Sequence, residues 1–386
     1  MAEWASMLSK MKSYLSQKIW QTGENIVAVI PKALDVSVTD YCNAGCNFCG
    51  FNKHLKKGTK RHFLEAESFI ASLPLLKENG FSFINFQGGE PLLHPDILQL
   101  VKEVTKAGMK ADLITNGWKL PEMADSLIDA GLHCLFVSLD SDVIEKHEQN
   151  RQLKGLGKRL KQGISIILAA GIPVIASVTV SKLVNPLRLP PLLKAFGFSG
   201  VTFSYPRQKP FASSSLVYGE HSDLVSFSQE TLDDFLEKMK ALKKLFPMLN
   251  PIAGIEDIQR HIANKKEYFP CIGGFKYYYL DWNLNLWRCE AWHKPFGKLT
   301  DLKIIPEDRS HCTNCMLSCY RDPSVLMYAP LLAGDAMKAF ALQHKIESLR
   351  FIFAWKFWIS LGAGLQDSLL YWRIFRGHQR KNCKRV

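Results

Sequence analysis

Six short runs rich in β-branched and aromatic residues, separated by helix-like stretches, constrain this chain more than any other feature. They are ALDVSVT (33–39), FSFINFQ (81–87), KADLIT (110–115), CLFVSLD (134–140), PVIASVTV (173–180) and GVTFSYP (200–206). Strands that alternate with helices form parallel sheets, because parallel neighbours need a crossover, and crossovers are right-handed. The helical stretches carry their own start and stop signals. HPDILQLVKEVTKAG has Pro95 near its start and Gly108 past its end, and LPEMADSLIDAG repeats the scheme with Pro121 and Gly131. Six strands wound this way give an α/β fold, a partial (β/α)6 TIM-like barrel with the loops after each strand gathered at one face. With 47% hydrophobic residues in 386, the chain can bury a core of that size, and a disordered chain is excluded.

The loop after the first strand is DYCNAGCNFCGF, which puts Cys42, Cys46 and Cys49 inside eight residues. Of ten cysteines, five more (Cys271, Cys289, Cys312, Cys315, Cys319) lie in one late region, while Cys134 and Cys383 stand apart. Tight thiol clusters without a secretory signal point to metal ligation in a reducing, cytoplasmic setting rather than a disulfide framework. Thiolates suit zinc or iron–sulfur clusters. A structural zinc needs four ligands, which His54 or His62 would have to complete. A 4Fe–4S cluster with one iron open to a small molecule needs three.

The spacing C-x3-C-x2-C, with Phe48 just before the last cysteine, resembles the radical S-adenosylmethionine (radical SAM) superfamily. The likeness extends to GGEP at Gly88–Pro91 after the second strand, ITNG at 114–117 after the third and VSLD at 137–140 closing the fourth. It implies a SAM-binding 4Fe–4S cluster on Cys42, Cys46 and Cys49, whose open iron takes the amino and carboxylate groups of SAM. It further implies SAM contacts from Phe48, Gly88, Gly89, Glu90, Pro91, Thr115, Asn116, Ser138 and Asp140. Glycines there let the backbone approach a ligand, and Glu90 offers an acceptor to the SAM ammonium. For Ser138 and Asp140 a purely structural role is the alternative. The implied reaction is reductive cleavage of SAM to a 5′-deoxyadenosyl radical that abstracts hydrogen from a substrate, with an electron donor such as flavodoxin or ferredoxin as partner.

The late cysteines, C-x17-C followed by C-x2-C, would suit a four-cysteine zinc site. In a chain with the first motif they resemble the SPASM and shorter twitch extensions, which hold auxiliary 4Fe–4S clusters. Five thiols suffice for one further cluster, so the twitch form is expected, with Cys271, Cys289, Cys312 and Cys315 as ligands and Cys319 as a replacement for Cys315 or a structural residue. Asp281 falls near the turn of the hairpin expected between Cys271 and Cys289.

The formal net charge is +13, of which the last 52 residues hold +7, from ten Lys and Arg against three acids. Trp and Phe are interleaved with these bases, and no run there is apolar enough to span a bilayer. The tail is therefore expected to lie on an anionic membrane surface. The alternatives are a helix packed on the enzyme and, less favoured, nucleic-acid binding. At the other end Trp4, Met7, Leu8, Met11, Leu15 and Ile19 form one helical stripe, expected to dock on the protein itself. The expected division is an N-terminal helix and lead-in (1–32), the barrel (33–225), connecting helices (226–269), the auxiliary cluster region (270–325) and the basic tail (326–386). The substrate is expected to be a lipid, isoprenoid or other apolar metabolite. The other functions that fit are a peptide-modifying maturase, an RNA-modifying enzyme and a non-catalytic iron–sulfur or zinc scaffold.

Overall fold

A computed structural model describes residues 2–53, 60–205, 222–310, 312, 313, 315, 317–342 and 353–382. His54, Lys345, Arg350, Phe351 and Cys383 lie outside the described residues. The six expected strands are present as β1 (Lys32–Ser37), β2 (Phe81–Gln87), β3 (Lys110–Thr115), β4 (Cys134–Leu139), β5 (Val174–Thr179) and β6 (Gly200–Ser204). They are parallel neighbours in chain order. Beside β1 the sheet continues with β7 (Tyr277–Leu280), β8 (Asn285–Trp287) and β9 (Gly297–Lys298), so that nine strands run β6-β5-β4-β3-β2-β1-β7-β8-β9. The cysteine-rich hairpin is thus part of the barrel sheet, since β7 pairs in parallel with β1 from Ala33↔Tyr277 to Val36↔Leu280.

Residue parity explains the two faces of this sheet. Leu34, Val36, Ile84, Phe86, Leu113, Leu135, Val137, Val174, Val178 and Phe203 are fully buried and meet the helices. The opposite parity turns polar and half-buried toward the strand ends, at Asn85 and Gln87, Ser138, Ser177 and Thr179, Thr202 and Ser204, while Phe83 and Phe136 stand on it nearer the strand starts. Register makes these one surface, because Asp35↔Asn85↔Asp112 and Ser138↔Ser177↔Thr202 are in-register partners in parallel ladders. Side chains too short to fill the interior leave a lumen along the sheet.

The outer helices obey the expected signals. The helix Ile97–Lys106 buries Ile97, Leu100, Val101 and Val104, spaced at three and four residues, and ends before Gly108 at φ +74°. The helix Leu120–Asp129 has Pro121 in its first turn and is followed by Gly131 at φ +89°. Both glycines occupy the left-handed region where L side chains are strained.

Three long helices cover the other side. We label them α1 (Ala2–Val29), α2 (Ser318–Ala341) and α3 (Trp355–Asn382). Helices α1 and α2 cross where a Cβ on Gly23 would lie 2.6 Å from the carbonyl oxygen of Gly334, so both positions must be bare. The last turn of α1 is capped by Lys276, whose Nζ donates to the carbonyls of Val27 (2.7 Å) and Ile30 (2.9 Å). Pro330 interrupts α2, and Ser360 of α3 inserts next to it, accepting from Ala329 N (2.9 Å) and donating to Val325 O (2.6 Å). The stripe expected to dock on the protein does not, since Trp4, Met7, Met11 and Leu15 are exposed; α1 is held instead near its C-terminal end, at Gly23 and Val27. The tail helix α3 packs along one side, with Tyr371, Ile374 and Phe375 against Cys134, Ile175 and Leu249 under the barrel.

Candidate functional site

The first cysteine loop sits at the C-terminal ends of β1 to β4. Its backbone is held from a distance. Gly45 N donates to Arg151 O (2.9 Å), Asn47 N to the Asn150 side chain (3.3 Å), and Gln152 Nε2 to Gly45 O (2.7 Å). Asp140, at the end of β4, fixes those residues in turn. One carboxylate oxygen accepts from Arg151 (2.8 Å) and the other from Asn150 (2.9 Å), all in the interior. Burial alone would push the Asp140 carboxyl up; the Arg151 charge and His147 outweigh it and hold it well below the usual range. Asp140 therefore organises the loop, the structural role that was the alternative for it.

Arg151 matters for the thiols themselves. Burial pushes Cys42 up to about 12, Cys46 to about 11 and Cys49 to about 12. The Cys46 charge raises Cys42, and both raise Cys49 further, while the buried Arg151 guanidinium favours all three thiolates. Desolvated thiols close enough to feel each other's charge, with a fixed cation beside them, fit a thiophilic iron–sulfur cluster, which takes thiolates outright. Among the described residues no three His, Cys, Asp or Glu side chains converge as they would on a single metal ion. His62, one candidate for a fourth zinc ligand, instead places Nδ1 2.6 Å from Asp40 Oδ2.

The GGEP turn lies against the same loop. Glycine is required here because a Cβ on Gly88 would meet Thr39 O at 2.6 Å and one on Gly89 would meet Tyr41 O at 2.2 Å. Gly89 N and Glu90 N donate to those two carbonyls at 2.8 Å each. The close approach that excludes a side chain is thus chain against chain. Glu90 is 1% exposed and accepts from Thr115 Oγ1 (2.6 Å), Leu92 N (3.0 Å) and Asn116 N (2.7 Å). Burial still drives its carboxyl up against those three donors. A carboxylate has about four acceptor positions, so one remains for an incoming ammonium. Asn116 reaches the loop, donating to Asn43 Oδ1 (2.8 Å). Phe48 and Pro91 are buried, and Ser138 faces the lumen.

Midway down the lumen Asp35 accepts from Asn85 (2.8 Å) and from the Tyr277 hydroxyl (2.9 Å). Burial raises its carboxyl to about 7. Tyr277 then leads to the second thiol group, its ring edge-on to Tyr320 at 5.1 Å. Around Tyr320 and Cys289 pack Cys271, Cys315 and Cys319. Burial and the charges of Cys315 and Cys271 push the Cys289 thiol up. Cys312 is not among the described side chains of this group; its N–H bonds Ser310 O at 2.9 Å. The hairpin turn expected around Asp281 is built on that side chain, which accepts from Asn283 N, Asn285 N and Trp287 Nε1 at 2.9–3.0 Å. Trp282 at its tip stacks on His62 (6.2 Å) beside the first cysteine loop.

The sequence reasoning missed Asn150, Arg151 and Gln152. Their only signal is the HEQNRQ segment eight or so residues past VSLD, and a lone arginine there carries no spacing to mark it.

Comparison with known proteins agrees with this geometry. The family described as the radical SAM superfamily matches residues 36–185. A GTP 3′,8-cyclase of Sulfurovum sp. is 35% identical over 142 residues, covering 34% of this chain and 44% of that protein. An AdoMet-dependent heme synthase of Methanosarcina barkeri is 32% identical over 154 residues, covering 39% and 43%. The chain thus spans less than half the length of these curated relatives. Among solved structures, native anSMEcpe with bound AdoMet aligns over 82% of this chain and all of its own, with TM-score 0.53 and 14% identity. Streptococcus suis SuiB bound to the precursor peptide SuiA aligns over 76% of this chain and 71% of its own, with TM-score 0.52 and 14% identity. At such identity the likeness is one of fold. Residues 36–185 thus form a radical SAM domain.

Proposed function

We propose that this protein is a radical SAM enzyme that reductively cleaves SAM and abstracts a hydrogen atom from an apolar substrate, a lipid or isoprenoid, taken up at a membrane surface. The observation that carries the reading is the joining of three neighbouring thiols, Arg151 and the Glu90 carboxylate around one loop. When bound, the cluster supplies the electron that splits SAM into methionine and a 5′-deoxyadenosyl radical. The chain supplies the rest. Cys42, Cys46 and Cys49 would hold three irons. Arg151 lowers the cost of the negative thiolates in a buried site, and Asp140 keeps Arg151 in place. Glu90 presents its remaining acceptor to the SAM ammonium, with Thr115 and Asn116 fixing its orientation. Ser138, at the top of the lumen, would take a ribose hydroxyl.

Cys271, Cys289, Cys315 and Cys319 would hold a second cluster, with Cys312 outside the set. A small one-electron donor such as flavodoxin or ferredoxin would reduce the protein. Membrane contact is supported by two exposed apolar stripes at helical spacing. One is Trp4, Met7, Met11 and Leu15 on α1; the other is Trp355, Trp358, Leu365, Leu369 and Trp372 on α3. No helix among the described residues is long and apolar enough to cross a membrane.

The test is release of 5′-deoxyadenosine by anaerobically reconstituted protein with SAM and strong reductant, in the absence of substrate. Slow release by the wild type and none from Cys46→Ala is expected. No release from the wild type would leave the scaffold reading in its place.

A further inference from the structure

The lumen has a second end, opposite the SAM loop. There the starts of β1 to β4 and helices α2 and α3 border a half-open cavity of about 710 Å³, within the range of small-molecule sites, roughly 300–1,000 Å³. Its wall is mainly Phe83, Phe136, Leu326, Met327, Tyr371 and Phe375. TIM-type barrels normally fill this layer with side chains. In this protein the β1 contribution is Ala33, and the space is left open.

The cavity is built rather than left by loose packing. The Phe375 ring stacks on His133 at 5.3 Å and on Tyr371 at 6.3 Å. Asp112 pins His133, with Nδ1 to Oδ1 at 2.8 Å. An apolar void of this size left empty loses dispersion contacts along its whole lining. The inner limit of the cavity is polar. Asn85 and Tyr277 belong both to its wall and to the hydrogen-bonded group around Asp35. From Asn85 the strand climbs three residues to Gly88, roughly 10 Å at the usual rise. The outer limit carries the exposed Lys110 beside a large apolar side chain. Trp372 lines the cavity and is also a member of the exposed stripe on α3, 56% accessible.

We infer that this cavity holds the hydrocarbon chain of an amphiphilic substrate, whose polar end lies at Asp35, Asn85 and Tyr277 and faces the SAM end of the lumen. The inference rests on the radical SAM reading for the word substrate, and on the cavity alone for the word hydrocarbon. Three features set the chemical class. The aromatic and aliphatic wall takes a chain or prenyl group, the Asp35 group takes hydroxyl, amide or amine, and the continuity at Trp372 gives entry from an apolar phase. A hydrophilic substrate such as a nucleotide would leave this wall bare.

The probe is 11-(dansylamino)undecanoic acid, with dansylglycine as the chainless control, titrated into reconstituted holoenzyme. Saturable, blue-shifted fluorescence with the long probe only is expected. Leu326→Trp, which fills the cavity far from the SAM loop, should weaken it by about tenfold, 1.4 kcal/mol, with substrate-free 5′-deoxyadenosine release unchanged. Equal binding by this variant overturns the inference. Should Leu326→Trp lose iron or solubility, photolabelling of the wild type with a diazirine fatty acid decides. Crosslinks at Leu326, Met327 or Phe375 support the cavity, and crosslinks confined to the exposed stripes of α1 and α3 overturn it. Deoxyadenosine release without any probe binding removes this inference and keeps the radical reading. Probe bound in the cavity of a protein that never cleaves SAM removes the substrate assignment.

Discussion

The two thiol groups are made in opposite ways. Cys42, Cys46 and Cys49 come from one loop, and their relative placement is set within eight residues. Cys271, Cys289, Cys315 and Cys319 come from a strand lead-in, a strand exit, a loop and the first turn of α2. The first group is local in its ligands but depends on distant support, because Asp140, Asn150 and Arg151 must fold over it. The second is dispersed in its ligands, but its frame is the hairpin anchored on β1, so it assembles only when the barrel sheet is complete. The comparison teaches that a site short in sequence can still be the one most exposed to a single remote substitution.

The largest effect should follow from the thiols. Replacing Cys42, Cys46 and Cys49 together by Ala should remove about half of roughly eight irons and all deoxyadenosine release, leaving the absorbance of a second cluster. Cys289→Ala should do the converse, losing the other half while substrate-free cleavage persists. Cys312→Ala should lose almost no iron, whereas Cys319→Ala should behave as Cys289→Ala. Iron lost on Cys312→Ala and kept on Cys319→Ala would restore the C-x2-C pair as ligands. Iron analysis and electron paramagnetic resonance of the reduced variants read all four.

Next in size is the remote support. Asp140→Asn strands the Arg151 cation in the interior, and breaking one side of a buried pair costs about 3–5 kcal/mol. Thermal unfolding should fall by several degrees, and iron should be lost from the first group alone. Loss from both groups would mean that Asp140 supports the barrel as a whole. The sign with pH is fixed by direction. Since the Asp140 carboxyl is held low in the folded chain, its contribution is present above the ordinary carboxylate range and lost as pH falls below it.

The strands, the alternation and the first loop were legible because each is a local pattern: parity along six residues, Pro and Gly at helix ends, three thiols at fixed spacing. The hairpin with Asp281 was legible only through the resemblance to the SPASM and twitch extensions, and in the fold that aspartate collects the N–H groups of a tight turn. Three things were not. Which of Cys312, Cys315 and Cys319 would serve as ligands depends on where α2 begins, and a helix start at Ser318 leaves no periodic trace in the residues before it. The reason for Gly88 and Gly89 lies in strand-end carbonyls some fifty residues earlier, which no single motif exposes. Pairing of β7 with β1 joins residues about 240 apart, and Tyr277 is brought to Asp35 only by that pairing.

A smaller effect separates the lumen from both thiol groups. Asp35 has its carboxyl raised to about 7 by burial. A folded-state value above the unfolded one means that the folded protein holds the proton longer. Stability from this group is therefore full below about pH 4 and declines as pH rises toward 7. Between pH 5.5 and 8 the loss should reach about 2 kcal/mol. Asp35→Asn should flatten this slope, measured by denaturant unfolding at several pH values. A slope unchanged by the substitution would show that Asp35 is already ionised in the folded chain.

The smallest effect concerns the surface, and it tests whether the helical side of the molecule differs in purpose from the barrel side. α3 carries two faces: Tyr371, Ile374 and Phe375 pack under the barrel, while Trp358, Leu365 and Leu369 point outward. Removing the tail would damage both, so exposed positions must be changed singly. Trp358→Ser and Leu365→Ser leave the packed face alone and should keep thermal stability within about 0.5 kcal/mol. Each large apolar side chain moved out of water is worth about 1.5–3 kcal/mol when fully buried. An interfacial side chain is only partly buried, so each substitution should weaken sedimentation with anionic liposomes by about tenfold or less. Basic residues near the surface add roughly 1 kcal/mol each, so salt should weaken binding of both variants and wild type alike. Neutral liposomes and tRNA run in parallel separate the alternatives. Binding to tRNA that ignores Trp358→Ser, with no binding to anionic liposomes, would assign the tail's charge to nucleic acid and leave the two apolar stripes without a membrane.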